Sequence, residues 1–407
     1  MSLDIKQIRQ EFPILSSKEC FYLDNAATMQ KPLSVISAVD TYYKNDNANV
    51  HRGMHSLAER STTALEDSRK SVAKFIGSAP YEIVFTKNAT EALNLIAKSW
   101  GKQNLTDRDA IVLTVLEHHS NIVPWLQLQQ EIGFTIHWVD IFEDGTLHMD
   151  QLDEYLANET VRLVSVTGHS NVLGVCPPLR AIIQKCHTAG ALCAVDAAQL
   201  IAHQDINVAD LDCDFLVFSG HKVYGPTGIG VLYAKKEHLE SMPPFLGGGM
   251  MIQEVTMTEF TPAEIPAKFE AGTPPIAQAV GLHAAIDWLS QYDWKDIAEH
   301  EAMLMTYAIE KLHTIEGLTI LGQPSDTPPS GCISFVMRNI HPHDLTEIIG
   351  RNGVSMRAGH HCAQPLHDRL EINASTRLSF AIYNTKEDID NAVEEILKAI
   401  HILNPTP

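Results

Sequence analysis

The chain has 407 residues, of which 45% are hydrophobic and 20% are charged, a composition typical of folded globular proteins rather than disordered, collagenous or coiled-coil ones. This length allows two or three domains, or one large α/β unit with an appendage. The formal net charge of −20 argues against a nucleic-acid-binding protein, because phosphate binding needs clustered lysine and arginine.

Predicted strands and helices alternate along the first 235 residues. Ile5, Ile8 and Phe12 share one helical face before Pro13, and a further helix is expected after Pro32. The next predicted helices cover residues 56–76, 90–100, 122–132, 150–157 and 179–188. The predicted strands cover residues 83–86, 110–115, 135–139, 161–166, 191–195, 215–218 and 230–233. Strands separated by helices of this length are typical of a parallel sheet covered by helices.

The pattern changes after residue 241. Residues 242–275 are rich in glycine and proline, and a loop of that length usually has a function or acts as a lid. Helices are then predicted over 282–290, 297–315 and 386–403, with strands over 331–336 and 375–381. We therefore predict a large α/β domain formed by residues 21–285, and a small α+β domain formed by residues 1–20 and 286–407.

Lys222 follows one of the predicted core strands. The apolar run ending at Phe218 leads into the polar turn Ser219-Gly220-His221-Lys222. An amine in this place can form a Schiff base with an aldehyde cofactor, and burial and neighbouring cations lower its pKa. The simpler alternative is a solvated surface lysine, because most lysines are solvated.

Asp196 ends another apolar strand, about one strand–helix–strand unit before Lys222. A pyridoxal phosphate enzyme needs a carboxylate that keeps the pyridine nitrogen protonated, so that the ring can accept carbanion electrons. A helix N-cap is the alternative, because aspartate is among the best capping residues. Asp196 and Lys222 together favour the cofactor interpretation.

Two further segments follow predicted strands. In the turn before the 90–100 helix, Thr90 and the first helical N–H groups can meet an anion such as a phosphate. A plain capping turn is the alternative, since threonine followed closely by glutamate also favours a helix start. His118 and His119 follow the next strand, where an imidazole can stack on a flat ring, transfer protons, or be purely structural.

Cys362 has Arg357, His360 and His361 within five residues. Such cations favour the thiolate, which is the nucleophilic form. A His-His-Cys metal site is the alternative, although adjacent ligands do not easily make a tetrahedral site alone.

The other six cysteines are expected to be packing residues: Cys20, Cys176, Cys186, Cys193, Cys213 and Cys332. Because the seven cysteines form no CxxC pair, they predict neither a disulfide framework nor a zinc site of that type, and they fit a reducing compartment. No signal-peptide core and no apolar stretch of spanning length is present in the sequence. We expect a cytoplasmic protein.

The sequence resembles the class V aminotransferase-like enzymes of fold type I, which use pyridoxal 5'-phosphate. Among them it is most similar to the group II, Suf-type cysteine desulfurases, a branch that includes selenocysteine lyases. The segments that carry the resemblance span almost the whole chain: LDNAAT, NVHRGMH, TKNATEALN, EHHSNIVPW, HSNVLG, AVDAAQ, FSGHKVYGPTGIG, FEAGTP, RAGHHCAQPL and STRLSFAIYNT. The resemblance implies an α/β fold with a mostly parallel seven-stranded sheet covered by helices, and a smaller α+β C-terminal domain that carries the catalytic cysteine loop.

The resemblance also implies how the cofactor is held. Lys222 would form the Schiff base and shuttle the Cα proton, and Asp196 would pair with the pyridinium nitrogen. Gln199 would hydrogen-bond the phenolic oxygen, and His118 would stack over the ring. The phosphate would be held by Thr90, Ser219 and His221, joined by Thr273 from a second subunit.

For the substrate, the resemblance implies that Asn171 and Arg377 fix the carboxylate of L-cysteine, with Arg357 also in the substrate site. Cys362 would attack the substrate sulfur and carry it as a persulfide, leaving L-alanine. The expected partners are a second copy of the chain and a small SufE-type sulfur acceptor, in iron–sulfur cluster assembly, and selenocysteine lyase activity is also expected. Three departures leave the acceptor preference and the substrate rate open: Ala89, Gly168-His169 and Pro275.

Other functions fit parts of the same pattern. A selenocysteine lyase, a transaminase or an epimerase has the same cofactor chemistry, and release of sulfide or alanine from L-cysteine distinguishes these activities. A zinc-dependent hydrolase or metal-binding protein would instead use the two histidine pairs and Cys362, and metal analysis tests that alternative. A non-catalytic scaffold is disfavoured by the joint presence of Lys222, Asp196 and Cys362.

Overall fold

The computed structural model describes residues 3–16, 20–157, 160–322 and 330–403. Its centre is a seven-stranded sheet, which we call the large sheet. In spatial order its strands are Ile83–Thr86, Gly230–Ala234, Phe215–Ser219, Leu192–Asp196, Val161–Thr167, Ala110–Thr114 and Thr135–Val139.

Five neighbouring strands of the large sheet run parallel, as predicted, from Phe215–Ser219 to Thr135–Val139. Strand Gly230–Ala234 runs antiparallel to both of its neighbours. The connection from Ser219 to Gly230 contains only a short 3₁₀ turn at Gly220–Lys222. That connection is too short for the crossover that a parallel pair needs, so the strand returns in the opposite direction.

Alternate residues of strand Phe215–Ser219 pack into two different hydrophobic cores, one on each face of the large sheet. Leu216 and Phe218 pack in one core cluster, whereas Phe215 and Val217 pack in the other. All four are fully buried. Since successive side chains point to opposite faces of a sheet, both faces of the sheet are covered at its central strands, which explains why these strands are nearly continuous apolar runs. The edge strand Thr135–Val139 is more exposed.

Fifteen α-helices lie in the described residues. They are Ile5–Gln10, Leu33–Asn45, Ser56–Ile76, Ala89–Leu95, Lys102–Asn104, Val123–Ile132, Met149–Leu156, Leu179–Thr188, Val208–Leu211, Lys236–Ser241, Ile276–Leu289, Trp294–His313, Pro342–Arg351, Gln364–Arg369 and Lys386–Leu403. A π-helical segment, Ile96–Gly101, continues the helix that begins at Ala89. None of the helices within the four described ranges is long and apolar enough to cross a membrane.

A second, small sheet contains four antiparallel strands. Their spatial order is Leu318–Ile320, Cys332–Met337, Ser375–Ser379 and Arg357–Gly359. Its core packs against Trp294–His313, Pro342–Arg351 and Lys386–Leu403. The division into residues 21–285, and 1–20 with 286–407, stays a prediction.

The N-terminal segment is attached to this C-terminal unit. Strand Phe21–Tyr22 pairs in parallel with Val354–Ser355, and Arg9 forms an ion pair with the buried Asp388 at 3.0 Å. The glycine-rich segment 242–275 is not entirely irregular, because strands Ile252–Val255 and Phe260–Pro262 form a hairpin within it.

Candidate active site

A cavity of about 350 Å³ lies where the carboxyl ends of the large-sheet strands meet the small sheet. Eleven of the twelve predicted site residues line it, namely His118, Lys222, Cys362, Asp196, Gln199, Thr90, Ser219, His221, Arg377, Asn171 and Arg357. Thr273 does not; it lines a different cavity, with Phe85, Leu246 and Phe269. Parallel strands end at one edge of a sheet, which is where ligands bind in open α/β folds.

Lys222 ends the 3₁₀ turn that follows strand Phe215–Ser219. Burial lowers the pKa of its amine to about 8, while the Asp196 carboxylate acts in the opposite direction. The turn is tightly packed: a Cβ at Gly220 would lie 2.7 Å from Ile229 Cγ2. Lys222 is therefore not a solvated surface lysine, and much more of its amine is neutral near pH 7 than in an ordinary lysine.

Asp196 ends the neighbouring strand Leu192–Asp196, in register with Val217. It is buried, and its Oδ1 accepts a hydrogen bond from the Ala198 N–H at 3.0 Å. Burial raises the pKa of this carboxyl, and Lys222 partly opposes that effect. Capping of the local turn and a role toward a ligand are compatible, because the carboxylate also lines the cavity.

Hydroxyl and amide groups gather where helix Ala89–Leu95 begins. The Ser219 hydroxyl accepts a hydrogen bond from the Ala89 N–H at 2.9 Å. Asn88, rather than Thr90, caps the helix, by accepting from the Glu91 N–H at 2.9 Å. Thr90 lines the cavity and is left available for a ligand at this helix start.

A glycine on the antiparallel strand lets this turn come close. A Cβ at Gly230 would lie 2.4 Å from the Asn88 Cα, so any larger residue would push the turn away from the sheet. Gly230 thus fixes the distance between the helix start and Ser219, which pairs with Gly230 in the sheet.

The cavity histidines that were predicted to contact the cofactor, His118 and His221, are neutral. Burial and the positive charge of Lys222 lower the pKa of His118 to about 3 and that of His221 to about 4. His118 Nδ1 pairs with the Ser120 hydroxyl at 2.8 Å, and His221 Nδ1 pairs with the Thr28 hydroxyl at 3.2 Å. Each ring is oriented by its neighbour and carries no net charge at neutral pH.

The segment Ala26–Thr28 forms another wall of the cavity. The Gln199 side-chain amide donates to the Ala26 C=O at 2.7 Å, which fixes the orientation of Gln199. The LDNAAT segment entered the sequence-based predictions only through a resemblance, and no site residue was predicted within it.

Cys362 is exposed, on a loop with unusual backbone angles. His361 and Cys362 have φ values of +51° and +57°, in the left-handed region that non-glycine residues rarely adopt. The loop is held by two hydrogen bonds from the other wall: His119 N–H donates to the Cys362 C=O at 2.7 Å, and the Asn171 side chain donates to the His361 C=O at 2.7 Å.

The predicted cluster of cations around Cys362 is partly wrong. His361 is buried, and its Nε2 pairs with the Ser375 hydroxyl at 3.1 Å. Burial and nearby Arg377 lower the pKa of His361 to about 2, so this ring supplies no positive charge. Arg357 is occupied by an ion pair with Asp24 at 3.0 Å. Proximity in sequence is misleading here, because successive side chains in the loop point in different directions.

Arg377 is 2% exposed and lies at the floor of the cavity. Its Nη1 donates to the Asn171 C=O at 2.8 Å and its Nη2 to Asp24 Oδ1 at 3.2 Å. Within the described residues its Nε is buried without a hydrogen-bond partner. An unpaired buried donor of this kind calls for an explanation such as a water, an ion or a role in the site, and the carboxylate-binding role of Arg377 stays a prediction.

The donor set fits the pyridoxal 5'-phosphate predicted from the sequence. The amine of Lys222, with its lowered pKa, suits an aldehyde, and the buried carboxylate of Asp196 suits a pyridinium nitrogen. The hydroxyl and amide donors at the start of helix Ala89–Leu95 suit a phosphate. Within the described ranges, no group of three or more His, Cys, Asp or Glu side chains is placed so that it could hold a metal ion.

The amino-acid sequence is similar to those of known proteins over nearly its whole length. Residues 21–392 match the family described as Aminotransferase class-V. A probable cysteine desulfurase of Halalkalibacterium halodurans is 44% identical over 95% of this chain and 96% of its own length. A cysteine desulfurase of Haloferax volcanii is 42% identical, over 97% and 96% of the two chains.

Solved structures agree. The structure of a cysteine desulfurase from Escherichia coli superposes with a TM-score of 0.91 at 38% identity, covering 99% of this chain and all of the other. An apo cysteine desulfurase from Thermococcus onnurineus gives 0.93 at 36% identity, over 98% of each chain. The chain therefore belongs to the class V aminotransferase family and, within it, to the cysteine desulfurases, enzymes that use pyridoxal 5'-phosphate.

Proposed function

We propose that the protein converts L-cysteine to L-alanine, transfers the sulfur to Cys362 as a persulfide, and then passes it to an acceptor protein. The observation that carries this proposal is that Lys222, Asp196, Arg377 and Cys362 line a single cavity although they come from four different elements. Lysine and carboxylate serve the chemistry at Cα, the arginine serves the substrate carboxylate, and the thiol serves the sulfur.

Pyridoxal phosphate, when bound, supplies an electron sink for the negative charge that develops at Cα. Lys222 would hold its aldehyde carbon and move the Cα proton, for which a pKa of about 8 is well suited near neutral pH. Asp196 would pair with the pyridinium nitrogen, Gln199 would bond the phenolic oxygen, and His118 would stack on the ring. Thr90, Ser219 and His221 would hold the phosphate.

The sulfur step belongs to Cys362. Its thiolate attacks the substrate sulfur and forms an S–S bond while the C–S bond breaks, with the electron pair passing to Cβ. Cβ takes a proton, which balances the one lost from the Cys362 thiol, and L-alanine leaves. Arg377 and Asn171 would hold the substrate carboxylate throughout, with Arg357 at the rim of the same site.

The exposure of Cys362 supports delivery of the persulfide to another protein, whose own thiolate would attack the outer sulfur. We propose a small SufE-type acceptor, a role in iron–sulfur cluster assembly, a cytoplasmic location, and selenocysteine lyase activity as a second activity of the same site. Pro365 soon after Cys362 restricts how far the loop can carry the sulfur, which supports a dedicated acceptor.

A homodimer with shared active sites is also proposed. Thr273 does not line the active-site cavity, but it lines two other surface cavities, where it is available to a second subunit. Leu246, Met257 and Phe260 in the same glycine-rich segment are exposed, and apolar side chains of this kind are typical of surfaces that become covered on association.

The direct test is alanine release from L-cysteine by the cofactor-loaded protein, with and without a candidate sulfur carrier. We expect alanine at a rate that the carrier increases, together with persulfide on Cys362 detected by mass spectrometry. Release of pyruvate or exchange of the amino group without alanine would contradict the proposal and favour another reaction of the same fold.

A further inference from the structure

Arg357 and Arg377 lie directly opposite each other on the neighbouring antiparallel strands Arg357–Gly359 and Ser375–Ser379. Residues in such positions have their side chains on the same face of the sheet, and like charges there destabilise the pair. In this protein a carboxylate lies between them. Asp24 Oδ2 accepts from Arg357 Nη2 at 3.0 Å, and Asp24 Oδ1 accepts from Arg377 Nη2 at 3.2 Å.

The backbone around Asp24 is fixed to the same sheet. The Ser379 N–H donates to the Leu23 C=O at 2.7 Å, and the Ala26 N–H donates to the Ser379 hydroxyl at 2.9 Å. Asp24 itself forms a parallel bridge with Ser379. These bonds fix the backbone at Asp24 independently of the two arginines, so its carboxylate projects from a fixed position on the sheet toward both of them.

This cluster has one positive charge more than it has negative charges. Arg377 is buried with its Nε unpartnered among the described residues, while its other two nitrogens bond Asn171 and Asp24. Arg357 directs both its Nε and its Nη2 to Asp24. The buried donor and the single excess charge suit a ligand with one carboxylate.

We propose that Asp24 is a positioning and specificity-determining residue of the substrate site. It holds the two guanidinium groups side by side and leaves the pair with one net positive charge, so that an amino acid with one carboxylate is preferred over one with two. The inference rests on the proposed function, because it assigns the substrate carboxylate to Arg377.

The test compares two amino acids that carry no sulfur, L-alanine and L-aspartate, with the cofactor-loaded protein. Their dissociation constants are measured from the change in visible absorbance of the bound cofactor. Asp24→Asn raises the net charge of the pair to two, and we expect the ratio of aspartate to alanine affinity to rise at least about tenfold, less so at high salt. An unchanged ratio, with both ligands weakened alike, would overturn the inference, because that is the result of a purely structural role.

A second variant serves if Asp24→Asn does not fold. Arg357→Gln changes a side chain that is 49% exposed and leaves Asp24 to neutralise Arg377. We expect alanine binding to weaken about tenfold or more in this variant and to recover in the double variant D24N/R357Q, which again has one net positive charge. Unchanged alanine binding in Arg357→Gln would overturn the inference.

Asp388→Asn is the matched control. Asp388 is a buried carboxylate paired with Arg9 outside the cavity, so its loss should lower stability and leave the ratio of aspartate to alanine affinity unchanged. A shift in that ratio as large as that of Asp24→Asn would also overturn the inference.

A wild-type protein that binds no cofactor would overturn the proposed function and this inference together. A wild type that makes alanine, with no change of ratio in Asp24→Asn, would overturn this inference alone.

Discussion

The backbone N–H of His119 donates to the backbone carbonyl oxygen of Cys362 at 2.7 Å. The His119 ring adds a second contact, since its Nε2 accepts from the Gln364 N–H at 2.9 Å. The turn that follows His118 therefore holds the cysteine loop on both sides of the thiol. Residues with positive φ persist where surrounding bonds impose the conformation, and His119 provides two of these bonds.

His119→Ala should reduce sulfur transfer more than substrate binding. It removes the acceptor of the Gln364 N–H and retains the backbone bond, so we expect a stability loss of about 0.5–1.5 kcal/mol. We expect kcat for L-cysteine to fall several-fold at nearly constant KM. Steady-state alanine assays and urea unfolding measure the two effects. His343→Ala, which changes an exposed histidine outside the cavity, is the control, and a KM effect larger than the kcat effect would contradict this prediction.

Borohydride reduction of the cofactor-loaded protein should place the pyridoxyl group on Lys222, and Lys222→Ala should abolish the label while retaining part of the phosphate binding. Lys31 is the informative competitor, because burial lowers its pKa to about 8 as well. Its amine donates to the His221 C=O at 3.2 Å and is not part of the cavity wall. Peptide mapping that places the label on Lys31, or on any other lysine, would show that the assignment is wrong.

Capture of the cofactor by the apo-protein should depend on pH in a defined direction. Only the neutral amine of Lys222 attacks an aldehyde, and its pKa is about 8 instead of 10.5. The capture rate should therefore rise with pH and level off above about pH 8, more than two units below an ordinary lysine. Stopped-flow absorbance measures this rate.

Asp196→Asn is the diagnostic variant for that profile. The Asp196 carboxylate favours the charged amine, so its removal should move the midpoint to lower pH. A shift to higher pH would mean that Asp196 does not act on Lys222 in this way.

Thr273→Ala should weaken cofactor binding, because in the proposed homodimer Thr273 contacts the phosphate bound in the second subunit. The loss of one charge-assisted hydrogen bond to a phosphate corresponds to about 1.5–3 kcal/mol. Equilibrium dialysis of the cofactor measures the effect, and Thr188→Ala, on the exposed end of helix Leu179–Thr188, is the control. Sedimentation that shows a fully active, cofactor-loaded monomer would contradict the shared site.

Sequence patterns predicted the elements with the strongest periodicity. The bounds of Ser56–Ile76, Leu179–Thr188 and Lys386–Leu403 agree with the expected ones, because each has a helical repeat and a clear start or stop. The large-sheet strands also agree to within a residue or two, since most of them are buried on both faces and are therefore nearly continuous apolar runs. Strand Arg357–Gly359 was not predicted, because it has only three residues and is partly exposed. Helix Pro342–Arg351 was also missed, although it is as long as Leu179–Thr188.

The site was predictable where residues follow the ends of strands, because the topology of a parallel sheet then brings them together. Asp24 was not predictable in that way. Its partners Arg357 and Arg377 lie more than 300 residues away in the sequence, and an aspartate after a short apolar run is equally typical of an ordinary solvated turn. The neutral state of His361 was also beyond the sequence, since it depends on burial against Ser375 and Arg377.

Cys362→Ser should separate two activities of the same site. The carbon–sulfur bond of cysteine needs a thiolate to take the sulfur, whereas the weaker carbon–selenium bond breaks with less help once charge has developed at Cα. Lys222 and Asp196 supply the chemistry at Cα from the large sheet, and Cys362 belongs to a loop beside the small sheet. We therefore expect the variant to bind cofactor normally, to lose nearly all alanine formation from L-cysteine, and to retain a substantial rate with L-selenocysteine.

Cys20→Ser, which changes a half-buried thiol outside the cavity, should retain both rates. Equal loss of both activities in Cys362→Ser would mean that Cys362 also shapes the pocket or donates a proton, and undiminished turnover of L-cysteine would remove it from the mechanism.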